Sequence, residues 1–122
     1  MSGPFRWLAA LVALVLVAAL SSCSGDSGDG GAEEKVVDSI AVTIKDGKVT
    51  PSGTRIQIAK DEPFTFRVDS DVAGEIHIHS KPEQSVVFEA GQTEHDVTFD
   101  KPGIFPAELH EPAQVVVELE VR

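Results

Sequence analysis

Apolar and polar residues alternate in short runs from residue 36 to residue 122, as they do along half-buried β-strands. Turn signals such as Asp46-Gly47 and Ala90-Gly91 separate these runs. No stretch of this region has the apolar spacing of an amphipathic helix. The last run predicts a strand whose buried face carries Val115, Val117, Leu119 and Val121. The pattern therefore predicts an all-β domain, an antiparallel β-sandwich of about seven to eight strands.

A 14-residue apolar segment, Trp7 to Leu20, precedes this region. It has the length of the core of a secretory signal, and it is shorter than the roughly 20 apolar residues that cross a bilayer. The sequence LSSC follows and ends at Cys23, and the combination resembles the lipobox of bacterial lipoproteins. The resemblance implies that residues 1–22 are a signal peptide and that the sulfur of Cys23 carries a diacylglycerol. The alternative is a plain signal peptide that leaves Cys23 as a free thiol.

The next segment, residues 24–35, reads SGDSGDGGAEEK and has the composition of a flexible linker. A linker of this length has a root-mean-square reach of about 19 Å. We therefore expect three parts: the signal peptide 1–22, the lipid-bearing cysteine with its linker 23–35, and one β-sandwich domain 36–122. Such a protein would lie on the extracytoplasmic side of the cell membrane, with the membrane as its partner through the lipid on Cys23.

Charge and cysteine content narrow the classes of function. The formal net charge is −10, and it becomes −11 after cleavage before Cys23, because Arg6 is lost and all acidic residues are kept. An acidic surface of this kind disfavours nucleic acid and anionic lipid. Cys23 is the only cysteine, so the domain has neither an internal disulfide nor a cysteine-ligated metal site.

Three segments of the domain resemble the cupredoxins, the fold of the small blue-copper proteins. VTIKDGKVTPSGTRIQIAKDEPFTFRV is similar to the first three strands of that family, and KPGIFPAELHEPAQVVVELEV to its last hairpin. Between them, DSDVAGEIHIHS falls where the family places its first copper histidine. The resemblance implies a Greek-key β-sandwich, and it also extends to uncharacterised bacterial lipoproteins that keep a cupredoxin-like domain without the full set of copper ligands.

The sequence departs from the family at the ligands themselves. Leu109 stands at the position of the copper cysteine, and the only methionine is Met1, so the axial ligand is missing as well. Blue-copper sites need a thiolate and two imidazoles, usually with a weak axial ligand. We therefore expect a domain without a type 1 copper centre, which excludes electron transfer through one.

His77 and His79 lie two residues apart on a predicted strand and so share one face. Their Cβ atoms should be about 6.5–7 Å apart, close enough for both imidazoles to bind one copper or zinc ion. His110 is the expected third ligand, because the cupredoxin arrangement brings the two segments to one end of the sandwich. Glu75 and Glu108 have the right parity to ligate the ion or to orient an imidazole.

The alternative for the same histidines is an ordinary polar sheet surface. In that case Ile76 and Ile78 form the buried face of the strand, and the imidazoles are solvated or hydrogen-bonded. His95, Glu118 and Glu120 are expected to have no functional role.

The sequence thus predicts a lipid-anchored binding module that takes copper or zinc through His77, His79 and His110. A metal-free domain that binds another envelope protein is the alternative function. We expect no enzymatic activity, because the chain has no phosphate-binding glycine loop and no nucleophile elbow.

Overall fold

The computed structural model describes residues 35–122. The predicted signal peptide 1–22, the lipidation site Cys23 and almost all of the linker lie outside the described residues. Within them the chain forms nine strands and no helix: β1 Ser39–Lys45, β2 Lys48–Thr50, β3 Thr54–Ile58, β4 Phe64–Ser70, β5 Gly74–Ile78, β6 Gln84–Phe88, β7 Gly91–Val97, β8 Gly103–His110 and β9 Ala113–Val121. No helix in this part of the chain has the length and apolar character needed to cross a bilayer.

The strands form a β-sandwich of two sheets, which confirms the predicted fold class. One sheet has the order β2-β1-β4-β7, and the other has the order β3-β9-β8-β5-β6. Both sheets are mixed rather than purely antiparallel, because β1 pairs with β4 and β3 pairs with β9 in parallel. Between β1 and β4 the chain leaves the first sheet after β2, forms β3 in the second sheet, and returns with β4 beside β1.

The described residues form one strand more than the seven to eight predicted. The additional strand is the short β2, whose neighbouring residues are polar. Asp46 and Gly47 both have positive φ angles, of 54° and 70°, as a tight two-residue hairpin requires. Lys45 and Lys48 face each other across this turn. The predicted turn is therefore present, and it continues into a strand of only three residues.

The apolar positions predicted for the strand interiors form one core between the sheets. On β5, for example, Ile76 and Ile78 are fully buried. The members of the core all lie between residues 42 and 121: Val42, Ile44, Val49, Ile58, Phe64, Phe66, Val68, Ile76, Ile78, Val86, Phe88, Val97, Phe99, Ala107, Leu109, Val116, Val117, Leu119 and Val121. Alternation along the chain therefore identified most of the interior correctly.

The prediction was wrong at the start of β9. A β-bulge between Ala107 and Glu108 pairs Ala107 with Val117 and Glu108 with Val115. Since Glu108 lies on the outer face of its sheet, Val115 faces outward too, and the neighbouring Val116 is buried instead. The bulge inserts one residue into β9, so the residues before it face the side opposite to the predicted one, while Val117, Leu119 and Val121 face inward as predicted.

Candidate metal site

The two histidines of the IHIH segment lie on the outer face of the five-stranded sheet. Ile76 and Ile78 point into the core from β5, so His77 points away from it. The strand ends at Ile78. The backbone N–H of His79 donates to the carbonyl of Pro106 at 3.0 Å, so the chain stays extended through His79. The two imidazole rings are 4.8 Å apart between centroids. They therefore form a pair on one solvent-facing surface.

Two carboxylates flank the imidazole of His77. Its Nε2 atom lies 3.3 Å from a carboxylate oxygen of Glu83, and its Nδ1 atom lies 3.9 Å from one of Glu75. Glu75 also accepts a hydrogen bond from the hydroxyl of Ser85, the residue opposite His77 on β6. Only 22% of the His77 side chain is exposed, so its ring is held between these neighbours.

The imidazole of His79 has a carboxylate partner on the next strand. Its Nε2 atom forms a hydrogen bond of 3.0 Å with Glu108 Oε2. Glu108 faces His77 in the β5–β8 register, so both histidines lie alongside it. The side chain of His79 is 42% exposed, and that of Glu108 is 35% exposed.

One group of donor atoms in the described residues is compact enough to hold a metal ion. It contains one atom each from His77, His79 and Glu83, all within 4.8 Å of one another. Sequence reasoning missed Glu83, because this residue lies in the connection after β5 and has no periodic relation to the pair. The buried hydroxyl of Ser80 donates to the carbonyl of Pro82 at 2.7 Å and so shapes that connection.

His110 lies beside this group but is not part of it. It is the last residue of β8 and is exposed, and its ring centroid is 5.9 Å from that of His77. The structure therefore gathers the three predicted histidines on one surface, in the order His79, His77, His110. The predicted role of His110 as a ligand remains a prediction.

The opposite side of β5 offers no ligand. Its inward positions are Gly74, Ile76 and Ile78. A Cβ atom on Gly74 would lie 2.7 Å from the ring of Phe88, which occupies the space there. Leu109 is 4% exposed and faces Ile76, so the residue at the expected cysteine position belongs to the core. The candidate ligands and the core of the sandwich thus lie on opposite faces of the same strands.

The other polar residues noted in the sequence lie apart from this group. His95 is half-buried on β7 in the four-stranded sheet, where it faces Phe66. The carboxylate of Glu118 pairs with Arg55 at 2.8 Å, and that of Glu120 pairs with Arg122. These contacts agree with structural roles for the two glutamates.

No family model and no curated protein sequence matches this chain. Among solved structures, it is similar to a mutant of amicyanin in the Cu(I) state, with 14% identity, a TM-score of 0.50, and coverage of 70% of this chain and 83% of that one. It is also similar to a purple cupredoxin from Nitrosopumilus maritimus, with 14% identity, a TM-score of 0.50, and coverage of 70% and 100%. At this identity the likeness concerns the fold alone. The domain is a β-sandwich with a cupredoxin-like fold.

Proposed function

We propose that this domain binds a divalent transition metal, zinc or copper, on the outer face of its five-stranded sheet. The observation that carries the proposal is the group of three donor atoms from His77, His79 and Glu83 within 4.8 Å. Two imidazoles and a carboxylate suit zinc and Cu(II), and the lack of a thiolate among these three ligands disfavours softer ions. The proposed ligands are therefore the predicted pair together with Glu83.

The donors can close on an ion with small movements. Two ligands at zinc–nitrogen distances near 2 Å in a tetrahedral site are about 3.3 Å apart. The donor atoms lie within 4.8 Å of one another, so each pair must approach by at most about 1.5 Å to bind one ion. The Glu83 side chain is 65% exposed, so a change of rotamer can supply this movement while the sheet holds His77 in place.

The surrounding charges favour a cation at this surface. Glu75, Glu83 and Glu108 carry three carboxylates around two imidazoles. A divalent ion among them relieves the repulsion between like charges and gains attraction from each. The hydrogen bond from His79 to Glu108 also resembles the outer contacts that fix the orientation of metal-bound imidazoles.

The metal-binding domain is proposed to lie at the membrane surface. The apolar segment and cysteine at the N-terminus support a lipid anchor on Cys23, and the linker would let the domain stand clear of the headgroups. There the domain would buffer the metal or deliver it to another envelope protein. Blue-copper electron transfer forms no part of this proposal, because Leu109 occupies the cysteine position and the donors lie on the outer face.

A metal-free interaction domain is the second candidate. The observation that favours it is the contact of each imidazole of the pair with a carboxylate, because such contacts also stabilise an ordinary polar surface. The two candidates differ in one respect that can be measured, the affinity of the histidine group for metal.

Calorimetric titration of the full chain in detergent with Zn(II) and Cu(II) tests the proposal. We expect saturable binding of one ion, weakened about tenfold or more by His77→Ala and by Glu83→Gln. The matched controls His95→Gln and Glu94→Gln lie on the other sheet and should bind as the unsubstituted chain does. Binding should also weaken as the pH falls, because protons compete with the ion for the imidazole nitrogens. Weak, non-saturating binding, or equal losses in the controls, would overturn the proposal.

The variant His110→Ala belongs in the same series. A loss as large as that of His77→Ala would place His110 among the equilibrium ligands, as the sequence predicts. A small loss would leave the ion on His77, His79 and Glu83 and give His110 a different role.

A further inference from the structure

We propose that His110 is an exchange ligand, the side chain through which the metal enters and leaves the site. This inference rests on the proposed function and adds a route and a class of partner to it. The partner is a metal donor or acceptor that carries imidazole or carboxylate ligands of its own.

The proposed site has an incomplete set of protein ligands. Three protein donors leave at least one position free on an ion that prefers four ligands. The exposed fractions of His79 and Glu83, 42% and 65%, show that this position faces solvent. An incoming ligand can therefore bind before an existing one departs, which is the condition for transfer by ligand exchange.

The three imidazoles differ in how firmly their neighbours hold them. His77 lies against Glu83 and Glu75, and His79 is hydrogen-bonded to Glu108. Among the described residues, the ring of His110 has no hydrogen bond and no ion pair, and its contact is with the ring of His77. Restrained imidazoles suit storage of an ion, whereas an unrestrained one can rotate between the ion and an outside ligand.

His110 is exposed and lies beside the donor group. Its ring is 5.9 Å from that of His77, a distance that rotation of an exposed side chain can shorten. His110 also lines a cleft of about 540 Å³, whose walls include the carboxylates of Glu75 and Glu111 and the apolar side chains of Phe88 and Leu109. A partner's ligands could reach His110 through this cleft.

The exchange step balances simply. A neutral His110 nitrogen donates its lone pair to the ion as a carboxylate oxygen of Glu83 leaves, so one metal–ligand bond forms and one breaks. The ion keeps its charge, and no electron or proton is transferred. Ligands from the partner then replace the protein's imidazoles one at a time, so that one metal–ligand bond forms for each one that breaks.

Zinc release from the full chain in detergent, measured in stopped flow with EDTA as the acceptor, tests this role. We expect the release rate to rise with EDTA concentration. His110→Ala should slow release by about tenfold, the effect typical of losing one participating group at a metal site. Because His110 is not among the equilibrium ligands in this proposal, its removal should leave the affinity close to that of the unsubstituted chain, and loading should therefore slow by the same factor as release.

Two further variants separate exchange from a structural effect. His110→Glu supplies another ligand at the same place and should restore most of the rate, whereas His95→Gln should leave the rate unchanged. A rate independent of EDTA concentration, an unchanged rate in His110→Ala, or a loss of affinity equal to that of His77→Ala would overturn the exchange role. None of these results contradicts metal binding itself, whereas the absence of saturable zinc binding would overturn both proposals.

Discussion

At the scale of single residues, the role of each histidine depends on its carboxylate neighbours. His77 and His79 are alike in sequence, but one is flanked by Glu83 and Glu75 and the other is bonded to Glu108. A carboxylate that accepts a hydrogen bond from one imidazole nitrogen leaves the other nitrogen as the free donor for a metal. Glu108 is therefore proposed as a positioning residue for His79.

Replacing Glu108 with glutamine tests this positioning role. The amide keeps the shape of the side chain but removes its charge, so the orientation of His79 is less well held. We expect the affinity for zinc in calorimetry to fall about tenfold. The control Glu118→Gln changes a carboxylate on the neighbouring strand β9 that pairs with Arg55, and it should not alter the affinity. Equal affinity for Glu108→Gln and the unsubstituted chain would contradict the role.

At the scale of elements, β5 separates the core from the candidate site. Its inward residues Ile76 and Ile78 belong to the core, while His77 points outward and His79 follows directly after the strand. The close approach of the Phe88 ring to Gly74 shows how tightly the inward side is filled at the start of the strand. A rigid inner face gives His77 a defined position on the outer one.

The substitution Gly74→Ala tests this packing. The added Cβ would lie 2.7 Å from the Phe88 ring, so the ring or the strand must shift. We expect a loss of about 1–3 kcal/mol in the free energy of unfolding, measured by urea denaturation with far-UV circular dichroism. In a Phe88→Leu background the same change should cost clearly less, because the smaller side chain makes room. Equal costs in both backgrounds would show that the contact is not the cause.

At the scale of the whole molecule, an acidic domain is proposed to be anchored to the membrane through one lipid-bearing cysteine. The net charge of −11 after the predicted cleavage gives the protein no electrostatic attraction to anionic headgroups. Attachment would therefore depend on the acyl chains, each buried methylene of which contributes about 0.8 kcal/mol. The metal site would then be confined to the layer near the membrane that the linker can reach.

Thiol labelling tests the anchor directly, because Cys23 is the only cysteine of the chain. A lipidated sulfur is a thioether, so the denatured protein purified from its native membranes should not react with a maleimide. The variant Ser24→Cys adds a free thiol beside it and should be labelled, which controls for access. Labelling of the unsubstituted protein would instead support the plain signal peptide, with Cys23 as a free thiol.

Several features of the fold could be predicted because they are local. Alternation placed Ile76 and Ile78 in the core and His77 on the opposite face, since neighbouring side chains of a strand point to opposite sides. The turn at Asp46-Gly47 was also predicted from two adjacent residues. The parallel pairing of β1 with β4 was not, because sheet order depends on contacts between distant segments.

The candidate site, like the fold, has features that the sequence predicted and features that it did not. The sequence by itself determined that His77 and His79 share a face, that the chain has one cysteine, and that Leu109 stands where a thiolate would be. Only the tertiary structure decided that Glu83 closes the donor group, that Glu108 meets His79, and that a bulge turns Val115 outward. The physical reason is that side-chain alternation follows from the geometry of one strand, whereas register, bulges and loop paths follow from how separate strands pack against one another.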